Sequence, residues 1–154
     1  MRFNWVPRHY HSINSINVRK NYKAITKSFC QFYFNLYDNN FLALKKLYKP
    51  NSLFIFIDEE FVGFDAVYGK IMHNNIFKFK HHDMNVNAQP VDNNSLLITI
   101  NGTVSINYDY RPHNFTETIL LRKNHNNNNF FVSNTIFNLH DINDDACIDE
   151  DLEI

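Results

Sequence analysis

The chain has 154 residues, 44% hydrophobic and 16% aromatic, a length and composition that support one folded domain with a real core and exclude a disordered polymer. Its net charge of -1 argues against a dedicated nucleic-acid binder, and no stretch reaches the ~20 apolar residues that span a bilayer. The two cysteines, Cys30 and Cys147, stand far apart and read as free thiols in a reducing compartment.

Residues 1–21 carry Arg2, Arg8, Arg19 and Lys20 among Trp5, Tyr10 and histidines without a clean period, and read as an N-terminal arm with no signal-peptide character. A first helix is predicted over residues 22–37, where Ile25, Phe29, Phe32 and Leu36 form one apolar stripe. Asp38, Asn39 and Asn40 break it. A second helix follows over 41–48, with Phe41, Leu44, Leu47 and Tyr48 inward, and Pro50 forbids its continuation. Residues 53–57 read as a buried strand and 58–60 as a turn. Asp65 is placed to cap a third helix that runs to about Phe77.

The rest reads as antiparallel sheet. Residues 80–88 form a strand and 92–94 a turn. From Leu96 to Tyr108 apolar and polar residues alternate, with Leu97, Thr99, Asn101 and Thr103 on the polar face. Residues 115–123 and 130–137 form a last hairpin across an Asn-rich loop, and 142–154 an acidic tail, leaving 22–141 as the domain. Asn, Lys, Ile, Phe and Tyr abound and share A/T-rich codons, which fits a protist or large DNA virus as the source.

Chemistry is sparse in this pattern. His81 and His82 are adjacent in a strand and point to opposite faces, so they cannot share a metal ion. The core face of the 96–108 strand and of the first strand offers no carboxylate or imidazole for acid–base work, so neither catalysis nor a cofactor is expected.

Four stretches occur in a telling order. They are Phe29-Cys30-Gln31-Phe32-Tyr33-Phe34-Asn35-Leu36-Tyr37, Leu47-Tyr48-Lys49-Pro50-Asn51-Ser52, Val62-Gly63-Phe64-Asp65-Ala66-Val67-Tyr68-Gly69 and Phe131-Val132-Ser133-Asn134-Thr135-Ile136-Phe137. Together they resemble the nuclear transport factor 2-like family over roughly residues 25–141. Asp65-Ala66-Val67-Tyr68-Gly69 most resembles the version in stress-granule scaffold proteins that bind Ras GTPase-activating protein. The resemblance implies an α+β cone, with about three helices on a curved, mostly antiparallel sheet, and a homodimer. It further implies a groove at Ile25, Phe29, Leu47 and Phe137 that holds Phe-Gly-containing peptides, Leu47 standing where relatives carry Phe. The expected function is a non-enzymatic interaction module in the cytoplasm. The first alternative is a nucleocytoplasmic transport factor that binds nucleoporin Phe-Gly repeats and the GDP form of the small GTPase Ran, with Asp58 and Asp109 near the corresponding acidic turns. The second is an isomerase or dehydratase of the same fold.

Overall fold

The computed structural model describes residues 17–126 and 129–140. Trp5, Cys147 and the acidic stretch lie outside the described residues. Two α-helices, α1 (Val18–Asn39) and α2 (Phe64–His73), and a 3₁₀ helix (Phe41–Leu47) pack on six strands. The strands are β1 (Tyr48–Phe56), β2 (Glu59–Val62), β3 (Phe79–Asp92), β4 (Ser95–Ile106), β5 (His113–Lys123) and β6 (Phe130–His140). They lie in the order β2-β1-β6-β5-β4-β3 as one open sheet, antiparallel except where β1 runs parallel to β6. The α+β fold read from the sequence is the observed one.

α1 begins four residues earlier than its sequence period suggests. The Asn17 side chain accepts from the amides of Arg19 at 2.9 Å and Lys20 at 3.4 Å, satisfying donors that the first turn leaves open. Val18 is fully buried, and its amide donates to Asn93 O at 3.2 Å in the β3–β4 turn. Ile25, Phe29, Tyr33 and Tyr37 form the buried stripe, while Phe32 and Leu36 are only half-buried. The i, i+4 row therefore wins over the expected one, because the Tyr33 hydroxyl finds polar partners inside.

The third helix does not use Asp65 as its cap. Gly63 holds that position at φ 83°, a left-handed value that glycine adopts without strain, and Phe64 enters the core at the first helical position. Asp65 instead faces solvent in the first turn, 3.0 Å from Lys45. The expected 58–60 turn is tighter than its composition suggests. Ile57 and Asp58, at φ 48° and 64°, make a two-residue hairpin, so Glu59 and Glu60 already belong to β2. β3 bulges at Asp83, φ 50°, and a Cβ on the facing Gly102 would come 2.8 Å from His82 O, so only glycine fits there.

The core lies between the helices and the inner sheet face. Phe56, Phe115 and Phe137 stack at centroid distances of 5.4 and 5.8 Å, and Tyr37 meets Phe41 and Phe79 edge-on, each at 5.0 Å. The other sheet face carries Thr99, Asn101 and Thr116 toward its β3 side and exposed Leu53 and Ile136 toward its β2 side.

Candidate functional site

At one end of the sheet an aromatic mouth opens. The end of α1, the 3₁₀ helix, α2, the start of β3 and the β4–β5 turn enclose a cavity of about 440 Å³. Tyr37, Phe41, Tyr68 and Phe79 form its walls, and Leu42, Met72, Phe77 and Tyr108 its rim. Phe77 is 69% and Tyr108 76% exposed, and their rings face each other at 6.1 Å. Large apolar side chains held this far into water at the edge of a cavity are the usual mark of a binding surface.

One residue shapes that rim. Asn107, at φ 54°, accepts on its side-chain oxygen from the amides of Phe77 at 2.8 Å and Lys78 at 3.3 Å, and donates to Asn75 O at 2.8 Å. The left-handed conformation suits asparagine better than most residues. Asp38 organises the floor. Its carboxylate accepts from the His81 amide at 3.1 Å and lies 2.6 Å from His81 Nδ1, while its carbonyl accepts from Lys78 Nζ. His81 is thereby a core imidazole that meets Tyr37 and Phe115 edge-on and Phe34 at a tilt.

Asp58 and Asp109 are both exposed and lie at this same end of the sheet, in the β1–β2 and β4–β5 turns. Three strand spacings, about 14 Å, separate those turns. Asp58 is anchored by its amide, which donates to Asn138 Oδ1 at 3.0 Å. Asp109 folds back on its own turn, accepting from the Arg111 amide at 3.0 Å.

Ile25, Phe29, Leu47 and Phe137 are placed differently from the expected open slot. Their exposures are 0%, 1%, 4% and 1%, so all four are core residues of the chain described here. Nor do they meet at one point. Phe137 touches the ring of Tyr37, and Ile25 lies twelve residues earlier on α1, about 18 Å along the axis.

The expected absence of a buried acid concerns the first strand and the 96–108 strand; the core carboxylate lies on β5 instead, where Glu117 is 1% exposed. The Tyr33 hydroxyl donates to its Oε1 at 2.8 Å, and the Tyr33 and Tyr48 hydroxyls are 2.7 Å apart. Burial pushes the Glu117 carboxyl up to about 8, and the Tyr33 bond offsets only part of that. Its Oε2, like Thr135 Oγ1, has no hydrogen-bond partner among the described residues. The alternation Phe115, Glu117, Ile119, Leu121 was the sequence signal, since Glu117 shares the parity of three buried apolar residues. Glu117 is not among the residues that line the mouth.

Residues 25–139 match the family model described as the nuclear transport factor 2 (NTF2) domain. Nuclear transport factor 2 of Oryza sativa subsp. japonica is 31% identical over 119 residues, covering 76% of this chain and 95% of that protein. The solved nuclear transport factor 2 of Cryptosporidium parvum is 29% identical, with a TM-score of 0.71 over 82% of this chain and all of that one. The yeast UBP3-associated protein BRE5, 17% identical at TM-score 0.62 over 78% of this chain and 97% of that chain, shares the fold alone. On the family match and the rice relative together, the chain belongs to the nuclear transport factor 2 domain family.

Proposed function

We propose that this protein is a non-catalytic, dimeric carrier of the transport-factor type, which takes a small GTPase of the Ran type in its GDP form at the aromatic mouth. The mouth carries the reading. A cavity of about 440 Å³ with an exposed Phe77–Tyr108 rim accepts one or two apolar side chains of a partner. Asp58 and Asp109 supply carboxylates at that end for a basic partner surface. The relatives named as transport factors favour this reading over the stress-granule one that the Asp65–Gly69 stretch suggested.

Calorimetry with GDP-loaded and GTP-loaded Ran tests it. Binding of the GDP form in the micromolar range is expected, on the order of -8 kcal/mol. Phe77→Ala, which removes an exposed ring and leaves the core untouched, should weaken it severalfold. No heat with either nucleotide form overturns the reading.

Dimerisation rests on the outer sheet face. Leu53, Val62 and Ile136, 51%, 62% and 43% exposed, gather around a hollow of about 440 Å³ there, and Leu97, Thr99, Asn101 and Thr103 continue the face. A second copy is the occupant proposed for it. Light scattering should give twice the chain mass, and Ile136→Asp should give the monomer with the thermal transition retained. A monomer mass for the parent protein at micromolar concentration counts against the dimer.

Phe-Gly motif binding stands second. A phenylalanine ring can reach Phe29 or Phe137 only if the helices part from the sheet, because both are buried. Leu47→Phe, at a position 4% exposed, is then expected to overpack the core at a cost of about 1–3 kcal/mol. A gain in Phe-Gly-Asp-Phe peptide affinity without that cost would instead favour the groove.

A further inference from the structure

We propose that a groove between α1 and β3, apart from the mouth, is occupied by residues 148–154 of this same chain. The groove has a volume of about 540 Å³. Tyr22, Cys30, Val86 and Ala88 form an apolar floor, and Lys23 and Lys27 stand along one wall. β3 is the last strand of the sheet, so its outer row of backbone groups has no strand partner among the described residues.

The charge on α1 calls for an anion. Arg19, Lys20, Lys23 and Lys27 are exposed in the first half of the helix, and no acid sits in its first turn. Cations there oppose the helix dipole. None of the four has an ion-pair partner among the described residues. The sequence of residues 148–154 supplies the complement: Ile148, Leu152 and Ile154 for the apolar floor, with Asp149, Glu150, Asp151 and Glu153 among them for the cations.

Reach allows this groove, and its apolar floor selects it over the other basic cluster. His140, Asn114, Thr103 and His82 lie in one row across the sheet. Four strand spacings, about 19 Å, separate that row from a position beside β3, and the Val86 row, which runs through Ile100, Glu117 and Phe137, lies three residues or about 10 Å along the strands, a span of about 22 Å. The eight steps from 140 to 148 extend to about 26 Å, which covers that gap. Lys49, Arg122 and His125 cluster near the start of β6, but Asp92, Asn94, Ser95 and Asn124 stand among them and Phe131 is their one apolar neighbour, so Ile148, Leu152 and Ile154 would find no apolar floor there.

A nitroxide on Cys147 of the full chain, with Cys30→Ser so that a single thiol remains, tests the assignment by amide NMR. The Val86, Asn87 and Ala88 amides should lose most signal. They should recover it in Lys23→Glu/Lys27→Glu, with the amide spectrum of the sheet otherwise unchanged. The loss should persist when the labelled chain is diluted into excess unlabelled, spin-free chain. Unaffected Val86–Ala88 amides overturn the proposal. So does loss centred on Arg122 and His125, or loss that disappears on dilution, which would assign the segment to a neighbouring copy.

Discussion

Replacing Glu117 by Gln should stabilise this protein by several kcal/mol at pH 8 and leave it nearly unchanged near pH 4.5. The carboxyl is fully buried and holds its proton up to about pH 8, whereas the unfolded chain releases it near 4.5. Between those values the folded state binds one more proton than the unfolded state, so stability falls as pH rises. The slope is about 1.4 kcal/mol per pH unit. Above pH 8 both states are ionised, and the loss levels off. Cys30, Tyr33, Tyr37 and Tyr48 surround the group; burial first, and the Glu117 carboxylate second, push their own values upward, so none of them titrates within this window. Gln keeps an acceptor for the Tyr33 hydroxyl and has no proton to lose. Thermal unfolding of both proteins from pH 4.5 to 8.5 is the measurement. The midpoints should coincide in acid and diverge toward base, by on the order of 10 °C for a domain of this size. Parallel curves would mean that Glu117 is hydrated and titrates as an ordinary carboxylate.

Glu117 also marks where sequence reading stopped. The strands from 96 onward were legible because period two is unambiguous when one face is apolar, and Leu96, Ile98, Ile100 and Val104 are buried as that alternation requires. A carboxylate on the same parity reads as a break in the pattern, and only the Tyr33 and Tyr48 hydroxyls from α1 and β1 explain how it is accommodated. Those residues are 84 and 69 positions away in sequence, out of range of any local signal. Turn chemistry misled for a related reason. Ile57 at φ 48° is a conformation that β-branched residues avoid, so the β1–β2 hairpin had no glycine or asparagine to announce it. The mouth was not legible. Asp58 and Asp109, implied by the family resemblance, do not line it, and its aromatic rim comes from Phe77 and Tyr108, which only the α2–β3 connection and the β4–β5 turn bring together.

Phe137→Ala should cost about 3–5 kcal/mol of stability, because it opens a cavity in a stacked aromatic core. The ring lies 15° from parallel with Phe56 at 5.4 Å and 29° from parallel with Phe115 at 5.8 Å, and it is 1% exposed. Phe115 and Tyr37 also hold the ring of His81, so the loss should spread toward the floor of the mouth. Phe29→Ala, at a site 1% exposed and stacked on Tyr33 at 5.2 Å, should behave alike. A wall of a peptide groove would behave otherwise: it gives up part of its surface to water in the free protein, so truncation removes less buried area and costs about 1 kcal/mol or less. Urea unfolding of the two variants separates these cases. A large drop in midpoint at unchanged slope places both rings in the core, and any loss of Phe-Gly peptide binding then follows from the altered fold. A drop of less than about 1 kcal/mol in either would return that ring to an accessible surface and reopen the groove formed with Ile25 and Leu47.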